Sequence, residues 1–479
     1  MPTAPEIIKC YKHIDANQKK YVEELREIVR IPNVSSNRKA EKQMSTLIHW
    51  LENRLKKLGF SVSLKNIGNY GNHEKTEEVK IPFLLLGTFG NDSNKKTLFY
   101  YCHLDVSKVE LEKWTSNPFE LTERDGKLFG RGTAKMKGPL LCFLHAIECF
   151  KELQIKLPIN IKILCESMHE CGSKSIPESL QDLKKSFLTN IDCILLNEGK
   201  WLGKNYPCIM YGFRGVCYFD ITIDGPLKNF HSGDYGGMIY EPMDDLIFIL
   251  NNLVDSAGRI LVPNFYKNVM SVTPEEEEIY HKIKINFHDY KKTSGIANFI
   301  HNEKVTPTLM NTWRHPSFNL HFIDSSIKCD PKIQLAIPKK VNARFSICIV
   351  PYQTHEQVSA LVMEYIKKIL HPRCTPNNVN VKVHDTLDPW SEDYSHWNYK
   401  AAKTAAKQVF KDEANLIRDG QGFPIVLHLR KIFPRKNILV LPLANDDANI
   451  HSEDENISLK NYIEGTKVLA NYFYQLSQV

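Results

Sequence analysis

Thr97-Leu98-Phe99-Tyr100-Tyr101-Cys102-His103-Leu104-Asp105-Val106 is the stretch from which the fold of this chain can be read. Its first five residues are an apolar, aromatic run of the kind that forms a buried strand. The strand delivers His-x-Asp to its own C-terminal end, where open α/β sheets gather their ligands. An imidazole and a carboxylate two residues apart suit a metal ligand at His103, with Asp105 fixing it or a neighbouring ligand from behind. A satisfied polar pair closing a strand has the same spelling, so the motif needs support from elsewhere in the chain.

On the N-terminal side, residues 17–31 and 40–58 carry helical periodicity. The second segment places Met44, Leu47, Ile48, Leu51 and Leu55 on one stripe before Gly59. Phe60 to Leu64 alternates as a strand, 66–80 is a polar surface connection, and Ile81 to Leu86 reads as a buried strand. On the C-terminal side come the loop Gly130-Arg131-Gly132, a helix over 137–153, and strands from Ile159 to Cys165 and from Ile191 to Leu196. These two strands run directly into Glu166-Ser167-Met168-His169-Glu170 and Asn197-Glu198-Gly199. Strands that alternate with helices and end in polar residues predict an α/β fold, a mostly parallel sheet with its site along one edge.

The texture changes near Tyr211. Gly215 to Asp224 is a long alternating strand, followed by His231-Ser232-Gly233 and an apolar helix through Leu253. A charged, irregular middle over 275–316 precedes alternating strands at Phe318 to Phe322 and Ala343 to Val350. A helix from His355 to Leu370 and a strand from Asn380 to His384 complete this part. The pattern predicts an inserted α+β domain over 214–387, interrupting a catalytic domain made of 1–213 and 388–479. In the last segment we read a helix over 396–411, a strand-like run at 423–429 and a strand from Ile438 to Pro442. The loop from Asp446 to Ser452 and a final helix from Leu459 follow.

At 479 residues the chain exceeds one ordinary core, which agrees with two domains. Its 42% hydrophobic and 24% charged residues are those of a globular protein. No run approaches the roughly 18 apolar residues of a membrane span. The N-terminus lacks a charged region followed by an apolar one, so no signal peptide is expected. Twelve cysteines without framework spacing suit a reducing compartment, and a cytoplasmic location is predicted. The net charge of +7 is modest, with basic and acidic residues interleaved, which argues against nucleic acid.

Four predicted strand ends carry ligand-type residues: His103, Glu170, Glu198 and His451. Singly, each reads equally as polar surface; together, at the ends of central strands, they point to a metal site.

At these and other positions the sequence resembles a known family. His103-Leu104-Asp105-Val106, Gly130-Arg131-Gly132, Glu170-x-Gly172-Ser173 and Trp201-Leu202-Gly203 are similar to motifs of the cytosolic non-specific dipeptidase and carnosinase group. So are Tyr211-Gly212-x-Arg214-Gly215, His231-Ser232-Gly233-x-Tyr235-Gly236-Gly237 and Tyr462-Ile463-Glu464-Gly465-Thr466. This group belongs to the aminoacylase-type metallopeptidases. The resemblance implies a zinc-exopeptidase catalytic domain interrupted by a lid and dimerisation domain, assembled as a homodimer. It also implies a dinuclear zinc or manganese centre that cleaves dipeptides, activating water and polarising the carbonyl beside a general-base glutamate. By the same resemblance His103 and Glu198 hold one metal, Glu170 and His451 the other, and Asp105 orients the site. His231 is implied to reach into the partner subunit's site and stabilise the tetrahedral intermediate. His384 is placed with it on the substrate side.

Three departures from the family pattern stand out. The bridging aspartate expected after Gly-Arg-Gly is Lys135, and no Asp or Glu occurs between Asp125 and Glu148. An ammonium at contact distance from two dications opposes what such a centre needs. An ion pair of Lys135 with Glu170 or Glu198 is the simpler outcome. The general-base glutamate is His169, a residue that can itself act as a base. On the substrate side the carboxylate-gripping arginine is Cys348, a threonine is Leu335 and a serine is Gly422. Losing a bidentate clamp costs a few kcal/mol of binding. The combination predicts a catalytically impaired or inactive paralogue holding fewer than two ions, or none. The alternatives are an active dipeptidase on a dipeptide-like substrate and a mononuclear-metal hydrolase with a different substrate. A heterodimer with an active relative is the alternative assembly.

Overall fold

A computed structural model describes residues 3–36, 41–65, 69–70, 79–80, 84–327 and 335–479. Every residue of the Thr97–His103 strand is buried, as its unbroken apolar run requires of a strand covered on both faces. It pairs in parallel with Asn160–Glu166 on one side, His103 opposite Glu166, and with Cys193–Leu196 on the other, Tyr101 opposite Leu196. Asn437–Val440 extends the parallel set beyond Cys193–Leu196. Four neighbouring parallel strands therefore end at one edge and feed their polar continuations into the same crevice.

Antiparallel strands flank this centre. Leu84–Phe89 pairs with Asn160–Glu166 and Ser61–Lys65 with Leu84–Phe89. At the other side Cys208–Phe213 meets Asn437–Val440 antiparallel, Asn415–Asp419 in parallel and Trp390–Ser391 antiparallel. The nine-stranded sheet is thus mixed, with a parallel core. One face is covered by Pro5–Ala16, Gln18–Val29, Glu41–Leu58, Lys137–Glu152, Trp397–Phe410 and Leu459–Leu476. The other carries Ile176–Leu183 and Pro424–Ile432. Each large aliphatic or aromatic side chain so enclosed contributes about 1.5–3 kcal/mol.

The second sheet has four antiparallel strands in the order Ser317–Ser325, Lys340–Ile349, Gly215–Asp224, Asn378–Leu387. Gly215–Asp224 alternates strictly, with Cys217, Phe219, Ile221 and Ile223 inward. Those residues pack with the helices Pro242–Leu253 and His355–Leu370 in a core of their own.

Two expectations are corrected. The run at 423–429 is the start of an α-helix, Pro424–Ile432, not a strand. Pro424 opens it, and Ile425, Val426, Leu429 and Ile432 form a buried helical stripe that happens to be spelled with β-branched residues. The middle over 275–316 is largely helical, as Pro274–Lys282, Phe287–Ser294 and Val305–Trp313. Thr273 caps the first by accepting the Glu276 N–H, and Asn286 caps the second. Tyr280, Ile283, Leu309, Met310 and Trp313 join the core of the nine-stranded sheet rather than that of the four-stranded one. The expected surface connection over 66–80 and the start of the Ile81 strand lie mostly outside the described residues.

Candidate active site

His103 closes its strand fully buried, with Nδ1 3.1 Å from the Asp105 carbonyl and 3.2 Å from Asp105 Oδ1. Asp105 does more than hold this ring. Its Oδ1 accepts the His169 N–H at 3.0 Å and its Oδ2 the Glu170 N–H at 2.8 Å, so one buried carboxylate locks two strand ends together. Burial pushes the Asp105 carboxyl up, but the hydrogen bond and charge of His103 outweigh it and hold it below its ordinary value.

Lys135 comes from the loop after Gly130-Arg131-Gly132. Gly132 sits at φ +89°, where a Cβ would also meet the Val106 side chain at 2.9 Å, so glycine is required at this turn. The loop wraps a carboxylate that sequence reasoning missed. Glu455 accepts N–H groups of Gly132 (3.0 Å), Ala134 (3.1 Å) and Lys135 (3.0 Å), and pairs with Arg131 at 3.0 Å. The lysine side chain then points to the sheet edge, where Nζ lies 2.5 Å from Glu198 Oε2. The ion pair expected for Lys135 is therefore made with Glu198. Burial disfavours the ammonium, but the Glu198 charge and hydrogen bond exceed that cost and Lys135 stays protonated. Burial likewise pushes Glu198 up, and Lys135, His103 and His169 bring it below its usual range.

His169 stacks on His103, ring centroids 4.2 Å apart and planes 15° from parallel. Its Nδ1 lies 3.2 Å from Glu166 Oε1, an atom that also accepts Ser173 Oγ–H at 2.8 Å and the Tyr101 hydroxyl. Glu166 too was missed. Burial lowers the His169 pKa, and the Glu166 hydrogen bond with the Glu198 charge raises it further than burial lowers it. Glu170 meets His451, Nε2 to Oε1 3.2 Å. Burial pushes the Glu170 carboxyl up, but the His451 hydrogen bond and the His103, His451 and Lys135 charges carry it well below the carboxylate range. His451 is half exposed, on a loop residue with φ +66°.

His103, Lys135, His169, Glu170, Glu198 and His451 thus share one crevice. His384 and Cys348 lie on strands of the four-stranded sheet and His231 pairs with Ala336 in a two-stranded ribbon, and none of the three makes a hydrogen bond or ion pair with that crevice among the described residues. His231 is exposed and uses Nδ1 to accept the Gly233 N–H at 3.1 Å. The next residue, Ser232, donates its N–H to the Leu335 carbonyl, so two expected substrate-side positions adjoin each other. His384 faces solvent beside Asp220 and Arg344. Cys348 is buried, its Sγ 3.8 Å from Asn319 Nδ2. Gly422 borders the crevice next to Phe423, whose ring lies 5.7 Å from the Lys135 ammonium. A Cβ at Gly422 would meet Leu387 Cδ2 at 2.1 Å, so Leu387 fills the space a serine side chain would need.

His103 Nε2 and Glu198 Oε1 are both buried without a hydrogen-bond partner and lie 3.7 Å apart. That separation is too long for a hydrogen bond and fits two ligands on one ion with bonds of about 2.0–2.2 Å. His103 and Glu198 therefore fit a divalent ion, which when bound supplies Lewis-acid polarisation of a substrate carbonyl. The chain's own contribution is to hold the His103 ring by Asp105 and to keep the Lys135 ammonium on the other oxygen of Glu198.

A mixed sheet with its parallel strand ends lined by carboxylates and imidazoles is the architecture of zinc-type exopeptidases. This chain belongs to the peptidase family M20/M25/M40, matched over residues 99–475. It is 33% identical to the Beta-Ala-His dipeptidase of Rattus norvegicus, covering 100% of this chain and 97% of that protein. It is 33% identical to the Cys-Gly metallodipeptidase dug1 of Schizosaccharomyces pombe, covering 98% of each. The crystal structure of human carnosine dipeptidase 1 superposes with a TM-score of 0.84 at 33% identity, covering 100% of both chains. The resemblance to the dipeptidase and carnosinase group is thereby shown, and with it the fold. Membership of this family implies binding of a divalent metal. No helix among the described residues is long and apolar enough to cross a membrane.

Proposed function

We propose that this chain is a dipeptidase-type member of the family in which an internal ion pair has replaced the two-metal centre, leaving it impaired or inactive in dipeptide hydrolysis. The observation that carries this is the 2.5 Å contact of Lys135 Nζ with Glu198 Oε2, at the position assigned by sequence to the bridging carboxylate. With Lys135 there, the inner carboxylates fall to Glu170 and Glu198, and one of them is already neutralised. A second dication would have to displace a buried ammonium from its ion pair with Glu198, which is strongly unfavourable.

The substrate side supports the same conclusion. Cys348 and Leu335 offer no grip on a carboxylate, and Leu387 closes over Gly422. Zinc or manganese is the metal class proposed, in the cytoplasm. We also propose a homodimer through the four-stranded sheet, where Leu320, Phe322 and Ile323 are exposed along Ser317–Ser325, which pairs on one side only among the described residues. In that dimer His231 would serve the partner's site.

The test is metal stoichiometry by elemental mass spectrometry after loading with zinc or manganese and desalting, alongside dipeptide hydrolysis. Fewer than two ions per chain with negligible turnover is expected. Two ions per chain with turnover would overturn the proposal.

A further inference from the structure

A cavity of about 540 Å³ lies at the edge of the nine-stranded sheet opposite the crevice. Lys95 and Asn160 border it, at the starts of the two parallel strands that end in His103 and Glu166. Leu58, Phe89, Ile147, Phe150, Leu157 and Ile159 make its wall largely apolar. The turn at Gly90 to Asp92 is fixed to that wall by Asn160, which accepts the Asp92 N–H at 3.1 Å and donates to the Asp92 carbonyl at 2.8 Å. Gly90, at φ +75°, leaves no room for a side chain, since a Cβ would meet Asn160 Oδ1 at 2.6 Å. The lining carries three ammoniums, Lys95, Lys151 and Lys156, against one carboxylate, Asp92. Lys95 Nζ gives one N–H to the Leu157 carbonyl at 2.7 Å and Lys151 Nζ gives one to the Lys57 carbonyl, so each keeps donors to spare. Lys156 is exposed, with no hydrogen bond or ion pair among the described residues. Burial and then the Lys156 charge hold Lys95 below its ordinary pKa, against the pull of Asp92.

We infer that this cavity is a binding site for a free single-chain carboxylate of the medium-chain fatty acid class, its chain against Phe89, Phe150 and Leu157 and its head between Lys95 and Lys156. A fixed apolar space bordered by surplus positive charge is complementary to an apolar chain with one anionic end. The apolar groups are recessed, Phe150 and Leu157 being buried, so they meet a chain that enters and not the interior of a bilayer. The cavity shares no residue with the crevice, and the site stands independently of what happens at Lys135.

The experiment titrates the full-length protein with decanoate, below its micelle concentration, by isothermal titration calorimetry. Saturable binding of one decanoate per chain is expected. Hexanoate, with a chain shorter by four methylenes, should bind on the order of 100-fold more weakly. Lys156→Glu, a change at an exposed position, should weaken decanoate by about three- to tenfold. Ile155→Trp, which fills the cavity from its half-buried rim, should weaken it by at least about tenfold. Circular dichroism establishes that each variant is folded. Absence of binding heat, equal affinity for hexanoate and decanoate, or unchanged affinity in both folded variants would overturn the inference. Co-flotation with phosphatidylserine vesicles that Lys156→Glu abolishes would put a membrane surface in place of the free chain and overturn it as well. The proposed loss of the two-metal centre is untouched by any of these results.

Discussion

Glu455 holds Lys135 by its backbone while Glu198 holds it by its side chain. The N–H of the lysine donates to Glu455 Oε1 at 3.0 Å, and its Nζ reaches Glu198 Oε2 at 2.5 Å. The residue is therefore anchored at both ends by carboxylates from distant parts of the chain.

The side-chain anchor predicts a large cost for neutralising one partner. Lys135→Met leaves Glu198 buried and unpaired and should destabilise the fold by about 3–5 kcal/mol in urea denaturation without metal. Lys135→Asp should instead raise zinc stoichiometry toward two per chain. Unchanged stability in the first variant together with unchanged stoichiometry in the second would show that Lys135 does not occupy the centre.

The backbone anchor makes a separate prediction. Glu455→Gln keeps the shape but gives up the charge that Arg131 and three N–H groups share, and turns an amide donor toward donors. A loss of about 2–3 kcal/mol is expected, with faster amide exchange confined to residues 130–136. Uniform exchange changes across the chain would speak against a local anchor.

Asp105 joins the His103 ring to the backbone of His169 and Glu170, so Asp105→Asn should act on metal as well as on stability. Zinc affinity should fall about 10- to 100-fold, because the ring behind Nδ1 loses its orienting charge. An Asn variant that binds zinc like the parent would limit Asp105 to a structural part.

Away from the crevice, acid sensitivity should trace to Glu24. Burial raises its pKa, but the His145 hydrogen bond (2.7 Å) and the Arg54 pair (2.5 Å) hold the folded-state value down to about 2. A carboxylate depressed in the fold stabilises above its unfolded pKa and loses that contribution as pH falls through the folded value. On this basis about 3 kcal/mol should be lost between about pH 4.5 and 2. In Glu24→Gln the stability-against-pH curve should lose that slope; an identical slope would move the sensitivity to other groups.

The architecture was legible wherever burial wrote its period into neighbouring residues. The Gly215–Asp224 strand and the His355–Leu370 helix match their expected limits, and the parallel strands whose continuations carry His103, Glu170, Glu198 and His451 end at one edge. The helix at 424–432 was hidden because Ile425, Val426 and Leu427 look like a strand until Leu429 and Ile432 complete the stripe. Pro274 after Thr273 was a usable helix start, obscured by the charged residues that follow. Glu455 and Glu166 were not legible for a different reason. Glu455 acts on residues more than 300 positions away, and Glu166 reads as the last polar residue of a strand until His169 folds back onto it. Such roles exist only in the folded chain.

The packing of Leu387 against Gly422 separates the two departures at 135 and 422. An aspartate at 135 needs no neighbour to move, since the lysine side chain occupies a space that a shorter residue also fits. A serine at 422 is different, because its Cβ would overlap the Leu387 methyl unless that side chain moves. Leu387 has to turn its methyl aside, and the Phe213 ring, 3.0 Å from the same point, limits the room into which the new side chain can go. The shape of this side of the crevice is thus set by a hydrophobic neighbour that leans into the space above Gly422, independently of what the metal-ligand residues do.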